Sequence, residues 1–239
     1  MHCAGIIFIR GEKMLKAVVF DFNGTLFFDT EKHEAAWQKY AEKILGRPLT
    51  ADENASIMGR SNEMILKFLL KRMPTEEETQ SMGSEKEAMY RDLCLKDPNS
   101  LSLAHGAAEL LDSLTERNIP ISIATSSPLE NIEFYFDKLG IGKWFGMDNI
   151  VYDDGSLRGK PEPDIYLAAA ARLKLDPSEL LVFEDSLSGI ASARAAGIGK
   201  IAAVTSSNSA ETLAARDGVS LVFGDYSELS DIDSLFCEI

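Results

Sequence analysis

Cysteine is scarce in this chain. Cys3, Cys94 and Cys237 are three, odd in number and far apart. They make neither a disulfide framework nor a metal-binding spacing, so a reducing compartment and a cytoplasmic location are expected. Apolar runs long enough for a membrane span are absent. Basic charge is short as well: 24 Lys and Arg stand against 38 Asp and Glu, a formal net charge of −14. That balance argues against nucleic acid and acidic membrane surfaces as general partners. An anionic small molecule would have to be drawn in by local cations, against the overall field. There is no internal repeat and no low-complexity segment. What remains is 239 residues with ordinary apolar content, enough for one domain plus an insertion. A monomer is expected.

Residues 1–13 read as an N-terminal extension. They lack a basic n-region, and their apolar stretch is too short for a secretory signal. An upstream start codon or a loose arm would account for them; an extra edge strand from Gly5 to Arg10 is the alternative.

Organisation follows from periodicity. Ala17-Val-Val-Phe20 is a continuous apolar run that ends in Asp21 and the turn residues Gly24 and Thr25. It reads as a strand buried on both faces. From there to about residue 100 the apolar spacing is helical throughout. Helices are expected over 29–46, 50–58, 61–73 and 76–96, with breaks at Gly59 and Pro74 and an interruption of the last at Gly83. From residue 105 strands and helices alternate. Strands are expected at 120–124, 150–152, 180–183, 200–204 and 221–223, with helices at 106–118, 129–139, 164–174, 188–196 and 210–216. This alternation means a parallel sheet with helices on both faces. The fold class is therefore α/β: a Rossmann-like core of residues 14–27 and 101–239, with an all-α insertion at 28–100.

In such sheets, ligands bind beyond the carboxyl ends of the strands. Asp21 stands there, and the backbone amides from Gly24 onward can face an anion as the chain turns. Glu184 and Asp185 follow another buried run, where two acids need a counter-ion or solvent. Lys160 lies in Gly-Lys-Pro-Glu-Pro-Asp, a segment stiffened by two prolines. Thr125, Ser126 and Ser127 end the strand before Pro128; they offer hydroxyl donors, or ordinary helix capping.

Together, Asp21-Phe-Asn23-Gly-Thr-Leu, Thr125, Lys160 and Glu184-Asp185 come in an order that resembles the haloacid dehalogenase superfamily of phosphotransferases. The β-phosphoglucomutase-like branch is the nearest likeness, from about Met14 to Val222. The resemblance implies a Rossmann-like core with a helical cap and Mg²⁺ as cofactor. Asp21 would be the nucleophile, forming an aspartyl-phosphate with a small phosphorylated metabolite, and would also bind the metal. Asp185 would bind the metal with Glu184 assisting, and Asn23 would contribute its backbone carbonyl. Lys160 and Thr125 would steady the phosphate. Gly59 and Arg60 fall at the specificity-loop position, Lys86 near a cap lysine, and Thr30 and His33 at the cap hinge; each also has a purely structural reading.

One position departs from the pattern. Asn23 stands where the superfamily has its general acid–base aspartate, and an amide does not titrate near neutral pH. Three readings follow. The first is a slow or unusual phosphotransferase in which His33 or water moves the proton. The second is a silent phosphate-binding module, and the third takes Asn23 as an introduced substitution. Hydrolysis of a sugar phosphate is the expectation, with phosphoglucomutase-type chemistry as the alternative.

Overall fold

The computed structural model describes residues 14–57, 59–229 and 236. The expected extension, with its alternative strand Gly5 to Arg10, lies outside the described residues. β1 (Ala17–Phe20) is fully buried and central. Four helices follow: α1 (Thr30–Leu45), α2 (Ala51–Ile57), α3 (Asn62–Leu70) and α4 (Glu76–Lys96). Then come α5 (Ala107–Glu116), β2 (Ile121–Ala124), α6 (Leu129–Leu139), β3 (Ile150–Val151) and α7 (Asp164–Leu173). The chain continues through β4 (Leu180–Glu184), α8 (Leu187–Ala195), β5 (Lys200–Val204), α9 (Ala210–Ala214) and β6 (Val219–Phe223).

The strands form one parallel sheet in the order β3-β2-β1-β4-β5-β6. The chain builds outward from β1 on one side through β2 and β3. It then returns to β4 beside β1 and builds outward on the other side. The order reverses between β1 and β4, the crevice where doubly wound sheets place their ligands. Asp21 and Asp185 end these two strands. Aromatic packing fixes the pair: Phe20 stacks on Phe183 with ring centroids 5.0 Å apart. Truncating either ring in this fully buried layer should cost about 3–5 kcal/mol.

Two apolar clusters sandwich the sheet, and a third lies among the helices, built from Trp37, Tyr40, Leu49, Ile57, Ile65, Leu66 and Leu69. α4 belongs to both sides of this division. Its Met82 packs on the helical cluster, whereas Tyr90 and Cys94 are buried in the sheet-side core.

The interruption expected at Gly83 does not occur; α4 runs unbroken. A capping box at Thr75 and Glu78 nucleates it. Gly83 is buried against Asn62 of α3, where a Cβ would make ordinary contact at 3.4 Å from Asn62 Nδ2. The helix expected over 61–73 stops at Leu70, where Lys71 takes a left-handed φ of 55°.

Candidate active site

A cavity of about 430 Å³ opens at the carboxyl edge of the sheet, between it and the helices α1 to α4. Its lining includes Asp21, Asn23, Thr30, His33, Gly59, Arg60, Lys86, Thr125, Ser126, Ser127, Lys160 and Asp185. The residues singled out in the sequence are thus brought together, apart from Gly24 and Glu184, which lie just behind the wall.

Asp21 sits at the centre. Lys160 Nζ donates to Asp21 Oδ1 and to Glu184 Oε1, both at 2.6 Å. Thr25 Oγ1 donates to Asp21 Oδ2 at 3.0 Å and lies 3.3 Å from Asp185 Oδ1. Burial pushes the Asp21 carboxyl up to about 7, with Lys160 opposing and Glu184 adding to the rise. Burial pushes Asp185 well above the usual range, reinforced by the charges of Glu184 and Asp21. Burial also works against the charge on Lys160, but Asp21 and Glu184 outweigh it and raise its pKa.

Asp21, Glu184 and Asp185 offer carboxylate oxygens within 4.8 Å of one another. Three buried acids beside one ammonium leave negative charge uncompensated, which a divalent cation fits. Gly24, at φ +77°, is needed here: a Cβ would sit 2.2 Å from Asp185 Oδ2. The three acids are not equivalent. Glu184 Oε1 accepts from Lys160 and Tyr166, and Oε2 from Asp185 N, Ser186 N and Ser186 Oγ. Burial opposes its charge, yet Lys160 and these donors hold it below its ordinary value. Glu184 therefore holds Lys160 in place, and Asp21 and Asp185 are the carboxylates open to a metal. The Asn23 carbonyl accepts none of the backbone hydrogen bonds of the described residues, so it too is available.

The Asn23 side chain is fully engaged. Nδ2 donates to Asp29 Oδ2 at 2.6 Å and to the Tyr135 hydroxyl at 2.7 Å. Oδ1 accepts from Ser127 Oγ at 2.6 Å and lies 3.4 Å from Thr125 Oγ1. Ser127 is thereby committed to Asn23, whereas Ser126 gives its hydroxyl to no described group and remains open to the cavity. Asp29 also accepts from Gly24 N at 3.0 Å and from the Tyr90 hydroxyl.

Lys86 is buried. It donates to Glu87 at 2.9 Å and contacts His33 Nδ1 at 2.8 Å. Donation by the ammonium places the imidazole proton on Nε2, which faces Asp29 Oδ2 at 3.5 Å. His33 stacks on Tyr90, ring centroids 3.8 Å apart. Thr30 opens α1 at the cavity wall. Gly59 and Ser61 touch the opposite rim. Ser188 Oγ donates to Gly59 O at 2.9 Å, and Gly159, lacking a Cβ, accommodates Ser61. Arg60 is exposed and pairs with no carboxylate among the described residues.

Sequence reasoning missed Asp29, Tyr90, Tyr135 and the loop Ser206-Ser207-Asn208. Nothing local marks the tyrosines, which arrive from α4 and α6. The loop did carry a signal: short polar side chains directly after a buried strand, at the edge where Asp21 ends its own.

A buried carboxylate, a buried lysine and an acidic pair meet around the switch point of a parallel sheet, an arrangement suited to phosphoryl transfer. The comparisons agree. Residues 15–197 match the sequence model of the haloacid dehalogenase-like hydrolases. A phosphorylated carbohydrates phosphatase of Thermotoga maritima is 30% identical over 213 residues, 87% of this chain and 94% of that protein. A β-phosphoglucomutase of Bacillus subtilis is 34% identical over 191 residues, covering 77% and 81%. The crystal structure of a family IA, variant 3 HAD hydrolase from Entamoeba histolytica superposes with a TM-score of 0.83 at 36% identity, over 93% of this chain and 98% of that one. The chain belongs to the haloacid dehalogenase-like hydrolase family. Among the described residues no helix is long and apolar enough to cross a membrane.

Proposed function

We propose that the protein is a Mg²⁺-dependent phosphatase that hydrolyses a small phosphorylated metabolite, a sugar monophosphate, through a phosphorylated Asp21. The observation that carries this reading is the Asp21–Lys160 contact of 2.6 Å beside Asp185, a nucleophile with its countercharge already in place. One Asp21 oxygen attacks phosphorus and the ester oxygen departs. Lys160, held by Glu184, offsets the charge that develops on the phosphoryl oxygens. Thr125, Ser126 and the backbone amides after Asp21 steady those oxygens. Asp21, Asp185 and the Asn23 carbonyl would hold Mg²⁺, which when bound would add charge stabilisation of the same group. Water then attacks phospho-Asp21 and phosphate leaves.

Residues 28–100 act as the cap that encloses the leaving group. The charges of the lining favour a monophosphate over a bisphosphate. Lys160 is committed to two carboxylates and Lys86 to Glu87, which leaves Arg60 as the one lining Lys or Arg without a carboxylate partner among the described residues. A second phosphate would find a single exposed guanidinium, in a lining that also carries the carboxylate of Glu34. This supports a phosphatase in preference to a mutase working through a bisphosphate. The names of the two relatives point to sugar phosphates as the class.

Asn23 has no proton to give, so an alkoxide leaving group should depart ~10²–10⁴-fold more slowly than it would with an acid in that place. A panel of metabolite phosphates, assayed for phosphate release with and without Mg²⁺, tests the reading. Expected are Mg²⁺-dependent release from a sugar monophosphate, faster release from an activated aryl phosphate, and loss of both in Asp21→Ala. Metal-independent release, or activity retained by Asp21→Ala, would refute it.

A further inference from the structure

The loop that follows β5 is built onto Asp185. Ser207 Oγ donates to Asp185 Oδ2 at 2.5 Å and also lies 3.2 Å from the Asp185 carbonyl oxygen. Asn208 Nδ2 donates to that carbonyl at 3.0 Å. Ser206 Oγ donates to the carbonyl of Gly24, next to Asn23, and stands 3.4 Å from Asp185 Oδ2. Three consecutive side chains of one loop thus grip one acid and the turn beside it. Asp185 Oδ1 is left on the other side, facing the Thr25 hydroxyl that Asp21 Oδ2 also accepts. Ser207 and Asn208 line the cavity as well.

We propose that Ser207 is a positioning residue for the metal carboxylate: by holding Oδ2 it aims Oδ1 of Asp185 at the space shared with Asp21. A carboxylate is free to turn about its last torsion, which is broad, and Gly24 leaves it room. A donor fixed on one oxygen removes that freedom and keeps the other oxygen on the metal side. Glu184 needs no such partner, because its own oxygens are saturated by Lys160, Tyr166 and backbone amides. Outer partners of this kind typically contribute 10–100-fold to metal affinity. The inference rests on the Mg²⁺ reading given above.

The test is calorimetric titration of Mg²⁺ into the full chain, free of substrate, for the natural protein, Ser207→Ala, Ser207→Thr and Asn208→Ala, with thermal unfolding of each in chelator. Ser207→Ala should weaken Mg²⁺ binding ~10-fold or more, with an unfolding midpoint in chelator close to that of the natural protein. Ser207→Thr keeps the hydroxyl and should bind within about threefold of the natural protein, and Asn208→Ala should lose less than Ser207→Ala, because Asn208 Nδ2 reaches the Asp185 carbonyl and, at 3.2 Å, Ser207 Oγ, but not Asp185 Oδ2. Unchanged affinity in Ser207→Ala would overturn the inference while leaving the metal reading standing. So would a loss in Ser207→Thr as large as that in Ser207→Ala, a comparison that also decides the matter should the alanine variant fail to fold. Absence of Mg²⁺ binding by the natural protein would sink the metal reading itself, and this inference with it.

Discussion

Changing Asn23 to aspartate places an acid where the family keeps its proton carrier, and the structure says what that does. Nδ2 stands 2.6 Å from Asp29 Oδ2; Asp29 is buried and Asn23 half-buried at the cavity wall. An oxygen there would face an oxygen. Two ionised carboxylates at that separation repel by ~6 kcal/mol at an effective dielectric constant of 20. The pair would avoid this by holding one proton between them, as carboxylate dyads do. A folded-state pKa raised by about two to three units corresponds to roughly 3–4 kcal/mol of lost stability at neutral pH. The sign is fixed by linkage. The raised folded pKa leaves stability intact below the unfolded pKa of about 4 and removes it progressively as pH rises toward the shared value. Denaturant unfolding of Asn23→Asp should therefore show a deficit that is full at pH 8 and shrinks toward pH 4. The retained proton is also a competent donor, so sugar-phosphate turnover should rise ~10²-fold. An equal stability at pH 8 would mean that the Asn23–Asp29 bond does not hold the loop. A stability loss without any gain in turnover would mean that a proton at position 23 cannot reach the leaving oxygen.

Three further outcomes are expected. Lys160→Met leaves Asp21 and Glu184 buried without their cation and should cost ~3–5 kcal/mol in metal-free protein; saturating Mg²⁺ should restore part of it, and an unchanged unfolding midpoint would contradict the arrangement. Asp21 and Asp185 both have raised folded-state pKa values, so metal-free protein should lose stability as pH rises from about 4 through about 7. Mg²⁺ should flatten that profile, and a metal-free midpoint that climbs across the window would refute the burial argument. Gly59→Ala meets a φ of +73° and a Cβ 2.6 Å from Ser188 Oγ; it should raise KM several-fold more than it lowers kcat in steady-state assays, and unaltered kinetics would detach the 59–61 loop from the substrate.

The parts legible in the sequence were those in which one residue carries its own context. The buried run into Asp21, the stiff segment around Lys160 and the acids ending β4 all announced themselves by burial followed by a polar turn. The switch of period after residue 100 revealed the parallel sheet. Contacts made by side chains from distant elements were not legible. Tyr90 and Tyr135 look like ordinary core aromatics in helical patterns, and their hydroxyls meet Asn23 only after α4 and α6 have folded over β1. Gly83 misled for the same reason: in isolation glycine weakens a helix, but here packing of α4 on α1 and α3 carries the helix through it. Asp29 was legible only as the first residue of an expected helix, whereas its side chain makes no capping bond and takes the amide of Asn23 instead.

The divided loyalty of α4 fixes how the helical layer could move. At 1.5 Å per residue, Tyr90 stands ~21 Å along the axis from Glu76. Tyr90 is clamped by Asp29, Tyr135 and the sheet-side core, while the 59–61 loop meets the opposite wall through small contacts, Gly59 with Ser186 and Ser188 and Ser61 with Gly159. The helix is then a lever with its fulcrum at the tyrosine. A tilt of about 10° there sweeps the Glu76 end through ~4 Å of arc, by the same rise per residue, and barely disturbs Asn23. Amide exchange should therefore be quick at residues 59–62 and slow around Tyr90. Uniform protection of both would mean that the lever does not turn.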